Sequence, residues 1–327
     1  MRAIVIARPG GPEVLEYREV PDPVPGPDDL LVRVRAAGVN RADVLQRMGG
    51  YPQPGPRGPY EIPGLEFAGE VVEVGERVEG FRPGDRVMGL LAGEGYAELV
   101  RVNHRHVVRV PESLDWPEAG GTPETAITAL DAFLQCGLVA GERVLIHAVG
   151  SGVGTHAVQI AKVLGASLVI GTAGSERKLA GARQLGLDVG INYRTQSFAD
   201  VVREVTGGTG VDVILDVVGG AYLADNVRSL SAKGRMIVVG LMGGSKAEID
   251  LGLLLRGRLQ IRGTTLRARP LEEKALAVRA FEKMVLPHIA SGRVRTVVDR
   301  TFPLANAADA HRVIEANENF GKVVLIP

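Results

Sequence analysis

An apolar run, Val144-Leu145-Ile146, leads straight into a glycine-rich turn, His147-Ala148-Val149-Gly150-Ser151-Gly152-Val153-Gly154, and then into the helix-like stretch Thr155 to Lys162. Strand, tight turn and helix in that order restrict the fold more than any other feature of the chain. Glycines let a backbone approach a pyrophosphate, and the open N–H groups at a helix start favour an anion. A glycine pattern alone is a weak signal, but Ser167-Leu168-Val169-Ile170-Gly171 reads as the next parallel strand, the context a dinucleotide-binding unit requires. Gly150, Ser151, Gly152, Val153 and Gly154 are therefore the expected pyrophosphate contacts.

Chains that bind the ribose 2′-hydroxyl of NAD usually end that second strand with Asp or Glu. Here it continues into Thr172-Ala173-Gly174-Ser175-Glu176-Arg177-Lys178. Ser175 can donate a hydrogen bond and Arg177 or Lys178 can pair with a phosphate, so the pattern predicts NADPH, with Thr172 and Ala173 lining the same strand end. Glu176 fits this only if it turns to solvent. Arg177 and Lys178 also read as a solvated helix face. Tyr193, in Asn192-Tyr193-Arg194, either closes the adenine side or is an ordinary half-buried tyrosine.

At 327 residues the chain is too long for one core and suits two domains. Residues 1 to about 110 alternate apolar and polar residues between Gly and Pro turns, which predicts a mostly β region. Strand–helix units follow, with strands near 143–148, 167–172, 189–192, 211–216 and 235–240, predicting a doubly wound parallel sheet. A helix from Leu271 to Ile289 and two strands, Val297–Arg300 and Lys322–Ile326, around a helix close the chain. The expected division is 1–120 with 268–327, and an inserted 121–267. Leu259–Gly263 reads as an edge strand, and pairing it across a two-fold axis would hide it, so a homodimer is expected.

With 38 basic and 38 acidic residues the formal charge is zero, so no basic field points to nucleic acid or to a membrane surface. No apolar run reaches the length of a membrane span. The N-terminus reads as a strand and not as a signal peptide, and the single cysteine, Cys136, suits a reducing cytoplasm.

Segments along the whole chain resemble the medium-chain dehydrogenase/reductase superfamily. Gly141 to Gly154 with Gln159 and Lys162 is similar to the zinc-independent quinone oxidoreductase (zeta-crystallin-like) signature, although Val149 and Ser151 stand where many members carry a small residue and a further glycine. Gly38-Val39-Asn40-Arg41-Ala42-Asp43, Gly49-Gly50-Tyr51, Pro63-Gly64-Leu65-Glu66, Gly240-Leu241-Met242-Gly243-Gly244 and Glu315 to Lys322 resemble its tumour-suppressor-inducible branch. The resemblance implies an α/β protein with a GroES-like, mostly-β catalytic domain and an inserted Rossmann domain. It also implies NADPH and a quinone or conjugated carbonyl as acceptor, bound in the cleft between domains.

The superfamily's zinc enzymes carry a cysteine where this chain has Asn40 and a histidine where it has Leu65, and the four-cysteine lobe is missing. No metal is expected: one cysteine and the pair His104-x-His106, read as one face of a strand, cannot supply a zinc site. By the resemblance Asn40 and Tyr51 contact the acceptor, with Asn40 also a ribose contact or a helix N-cap and Tyr51 otherwise an ordinary loop tyrosine, and Asp43 supports that turn. Thr128 would meet the carboxamide or is simply one residue of a buried helix, Val217 would meet the adenosine, and Gly240, Leu241 and Met242 the nicotinamide side. Leu266-Arg267 and Asn319 to Lys322 would close over the cofactor, unless Lys322 is a plain edge-strand lysine. Hydride or single-electron transfer follows, with solvent as a sufficient proton source. An alkenal, enone or enoyl-thioester reductase and a non-catalytic NADPH-binding protein remain as alternatives.

Overall fold

The computed structural model describes residues 1–55 and 58–327, in two compact units: Met1–Ile127 with Leu266–Pro327, and Thr128–Thr265. The first unit opens with strands β1 (Arg2–Ile6), β2 (Leu15–Glu19) and β3 (Asp29–Val39), helix α1 (Arg41–Arg47), and strands β4 (Glu66–Val74), β5 (Arg86–Leu90), β6 (Leu99–Asn103) and β7 (Val107–Arg109). Helices α2 (Trp116–Gly120) and α3 (Pro123–Gln135) follow. The second unit continues as β8 (Arg143–Ile146), α4 (Gly152–Val163), β9 (Leu168–Ala173), α5 (Glu176–Arg183), β10 (Val189–Asn192) and α6 (Phe198–Val205). It ends with β11 (Val211–Asp216), α7 (Leu223–Ser229), β12 (Leu230–Val238), α8 (Leu251–Gly257) and β13 (Gln260–Gly263). The chain returns to the first unit through α9 (Leu271–Met284), α10 (Leu286–Ala290), β14 (Val298–Pro303), α11 (Ala307–Glu315) and β15 (Lys322–Ile326).

In the second unit six parallel strands lie in the order β10-β9-β8-β11-β12-β13. The central strands are continuous apolar runs because helices cover both faces. Val144, Leu145, Ile146, Val213, Ile214 and Leu215 are wholly buried. Four of its helices begin at a side chain that accepts a backbone N–H: Ser151 for α4, Ser175 for α5, Ser197 for α6 and Asp250 for α8. In the first unit β14-β15-β3-β4-β5-β7 form one sheet, with β6 also paired to β3. Its core gathers Val32, Val34, Phe67, Tyr96, Val323 and Leu325. β15 lies between β14 and β3, so Lys322 belongs to an interior strand, not to an edge.

Two expectations about local structure are corrected. The helix expected from Leu271 to Ile289 breaks at Val285, because Pro287 has no N–H to donate and its ring collides with the carbonyl four residues back. His104 to His106 is a short 3₁₀ turn, not a strand, and its histidines face backbone carbonyls of Asp28 (2.9 Å) and Leu271 (3.1 Å).

Candidate active site

The glycine turn meets its expectation in local geometry. Ser151 caps α4 by accepting from Gly154 N at 2.9 Å, which leaves the N–H groups of Gly152 and Val153 at the open helix start. Gly154 has no substitute: a Cβ there would lie 2.2 Å from the carbonyl oxygen of Ala148. The stem of Lys178 lies against Gly150. Glu176 is exposed and paired with Arg183, so it does turn away. Ser175 serves as the α5 cap, a role the cofactor reading did not include. Tyr193 is exposed and meets Tyr222 edge-on at 6.3 Å. Gly240, Leu241 and Met242 follow β12, and Met242 N donates to Val217 O at 3.3 Å, so the two strand-end loops are tied together. Thr128 is half-buried on α3.

A buried polar brace underlies this turn, and nothing in the sequence pattern announced it. His147 Nε2 donates to Asn226 Oδ1 (2.7 Å), and its Nδ1 accepts from the Thr172 hydroxyl (3.0 Å). Asn226 donates to Asp216 (3.2 Å), whose carboxylate also accepts from Val218 N and Gly219 N. Burial holds His147 neutral, its pKa pushed down to about 4. The Thr172 hydroxyl thus faces inward, and both Thr172 and Ala173 are buried.

In the first unit Asn40, Glu66 and Lys322 form one cluster. The Lys322 ammonium uses all three hydrogens, on Val39 O (2.9 Å), Asn40 Oδ1 (2.7 Å) and Glu66 Oε1 (2.7 Å). Asn40 Nδ2 donates to Glu66 Oε1 at 2.9 Å, and Glu124 N donates to Glu66 Oε2 at 2.8 Å. Glu66 and Lys322 expose 0% and 2% of their side chains. Gly38 makes the room: a Cβ there would lie 2.2 Å from Glu66 Oε1. Asn40 stands at the N-cap position, as the alternative allowed, and its amide is committed to these partners instead of being open to an acceptor. Asp43 holds the corner from beneath, accepting from Asn40 N (2.8 Å), Gly64 N (3.2 Å) and the Tyr96 hydroxyl (2.9 Å). Burial raises its pKa to about 6 against those bonds.

Tyr51 differs from Asn40. Its ring lies 5.2 Å from the Arg267 guanidinium, which also donates to its carbonyl oxygen at 2.9 Å. Among the described residues its hydroxyl has no hydrogen-bond partner, and burial, with Glu124 nearby, raises its pKa, so the phenol stays a neutral donor. Arg267 is buried and fixed by Ala92 O (2.7 Å) and Gln46 Oε1 (2.6 Å), while Lys274 donates to Arg267 O at 3.1 Å. Arg267 thus locks the Tyr51 loop. Among the described residues no three His, Cys, Asp or Glu side chains gather to hold a metal, and buried Leu65 offers no ligand.

Residues 26–112 match the family model described as alcohol dehydrogenase GroES-like domain, and residues 152–283 that described as zinc-binding dehydrogenase. The chain belongs to the medium-chain dehydrogenase/reductase superfamily. This reductase-fold chain is 36% identical to the quinone oxidoreductase of Pseudomonas aeruginosa, covering 100% of this chain and 99% of the relative. It is 35% identical to a 2-haloacrylate reductase of Burkholderia, covering 99% and 98%. The solved Escherichia coli quinone oxidoreductase complexed with NADPH superimposes with a TM-score of 0.90 at 29% identity, covering all of both chains.

Proposed function

We propose that this chain is an NADPH-dependent, zinc-independent reductase of quinones or related conjugated carbonyls. The observation that carries the reading is the open Tyr51 phenol, fixed by Arg267 in a region rich in hydrogen-bond donors and poor in metal ligands. Without a Lewis acid an alcohol is hard to activate for oxidation, whereas an electrophilic acceptor needs only orientation and a donor at its developing charge. NADPH supplies the hydride. The α4 start at Gly152 and Val153 binds its pyrophosphate, and Lys178 with Ser175 recognises its 2′-phosphate. Tyr193, Thr128, Val217 and Gly240 to Met242 line the rest of the cofactor. Tyr51 donates to the acceptor oxygen; Asn40 and Lys322 hold the site in shape rather than touching the acceptor. The unit Met1–Ile127 with Leu266–Pro327 carries the acceptor chemistry and the unit Thr128–Thr265 the cofactor. The 2-haloacrylate reductase relative favours a second reading, reduction of an activated C=C bond by the same apparatus.

A homodimer is part of the proposal: β13 is a sheet edge with all four residues exposed, and Leu251 and Leu255 of the preceding α8 are exposed as well. A cytoplasmic location rests on the lone, unpaired Cys136. The deciding experiment measures initial rates with NADPH and NADH against 1,2-naphthoquinone, 9,10-phenanthrenequinone and an enone, with radical products followed by electron paramagnetic resonance. Turnover of quinones with NADPH, unaffected by chelators, is expected. NADPH binding with no turnover of any electrophile would overturn the reading.

A further inference from the structure

We propose that Glu124 is the acid that delivers the proton to the reduced acceptor. The inference rests on the reductase reading above, and it replaces solvent as the proton source. Glu124 sits in the first turn of α3, its backbone pinned to Glu66 Oε2 at 2.8 Å. Its carboxyl is half-buried and, among the described residues, has neither a hydrogen bond nor an ion pair, whereas the neighbouring carboxylates of Glu66 and Asp43 are each held by three bonds. A carboxyl fixed by its backbone and open at its oxygens is placed to work on something that is not protein.

The groups that act on it come from every side. Glu66 on β4 and Asp43 on α1 disfavour its charge, while Lys322 on β15 and Lys274 on α9 favour it. Arg267 and Tyr51 share the neighbourhood, and Glu124 in turn raises the Tyr51 phenol. Burial and Glu66 dominate and push Glu124 up to about 8, so at neutral pH it is chiefly a neutral O–H donor. The step balances. The hydride adds one hydrogen and two electrons to the acceptor and leaves an anionic oxygen; the Glu124 O–H bond breaks as a new O–H bond forms there. Glu124 becomes a carboxylate, favoured by Lys274 and Lys322, and a water molecule reprotonates it. For an enone the same proton ends on the enolate.

Infrared difference spectra of the ligand-free wild type against Glu124→Gln, taken from pH 6 to 9.5, are the first readout. A protonated-carboxyl band is expected in the wild type, lost in the variant and titrating near 8. Its absence at pH 7 would overturn the proposal without touching the reductase reading. The second readout is kcat against pH with NADPH and 9,10-phenanthrenequinone or an enone. The wild type should lose kcat above about 8, and Glu124→Gln should be about 100-fold slower at pH 7 with a flat profile and an unchanged NADPH Kd, as general-acid losses run. Glu124→Asp should retain the pH limb at reduced kcat, which covers the case of a Gln variant that does not fold. Wild-type rates in Glu124→Gln would sink the proton-donor role alone. A wild type inactive on every acceptor would sink the reductase reading, and this role with it.

Discussion

The glycine turn at 147–154 leaves backbone N–H groups open at a helix start, whereas the Asn40–Glu66–Lys322 cluster joins side chains from residues up to 282 apart in sequence. The first is built by local geometry: a capping serine, a glycine at a position where a Cβ would lie 2.2 Å from a carbonyl oxygen, and a helix start. The second depends on a buried ion pair, which stands only while each partner compensates the other. The difference teaches that the two sites should fail differently, one through shape and binding, the other through folding.

The largest expected effect tests the ion pair. Lys322→Met leaves Glu66 buried and uncompensated and should cost about 3–5 kcal/mol in urea unfolding followed by the single Trp116. Adding Glu66→Gln should restore much of that loss. A single variant as stable as the wild type would erase the contrast drawn between the two regions.

Next comes pH. His147 and His311 have folded pKa values lowered to about 4 and about 3, chiefly by burial. The unfolded chain therefore binds protons that the folded chain refuses, and stability falls as pH drops from about 6.5, by up to about 3 kcal/mol for His147 alone. Asp43 and Glu124, raised to about 6 and about 8, work the other way: their stabilising contribution is present at low pH and lost as pH rises through those values. Denaturation at pH 4.5 and 7.5 should show a shallower acid loss in His147→Asn than in the wild type; equal losses would remove His147 from the account.

A smaller effect belongs to the cofactor side. Lys178→Ala should cut the NADPH/NADH ratio of kcat/KM about tenfold, or about 1.4 kcal/mol, one charge-assisted phosphate contact. An unchanged ratio would refute the 2′-phosphate role. The smallest concerns Ala148, which holds φ = 55° in the turn. Ala148→Gly should raise stability by about 0.5–1 kcal/mol in thermal melts by relieving that left-handed conformation.

The region legible beforehand was the one written locally. The strand–turn–helix order, the parallel repeat and the position of Ser151 lie within neighbouring residues, so periodicity and glycine spacing disclosed them. The pair His104-x-His106 fits a 3₁₀ turn as well as a strand, and the partners of Asn40, Glu66 and Lys322, lie too far along the chain to be read beside it. Tyr96, which donates to Asp43 at 2.9 Å, and Asn226, which pairs with His147 at 2.7 Å, carry no local signal at all.

By itself, then, the order of residues determined the two-unit α/β architecture and the strand–turn–helix unit that ends in the open start of α4. Only the tertiary structure decided that Lys322 is an interior cation, that Asn40 is already bonded, and that Tyr51 and Glu124 keep oxygens with no hydrogen-bond partner among the described residues. The reason is physical: a backbone turn is set by the torsions of adjacent residues, whereas a buried charge is set by whichever distant partner the fold brings within about 3 Å.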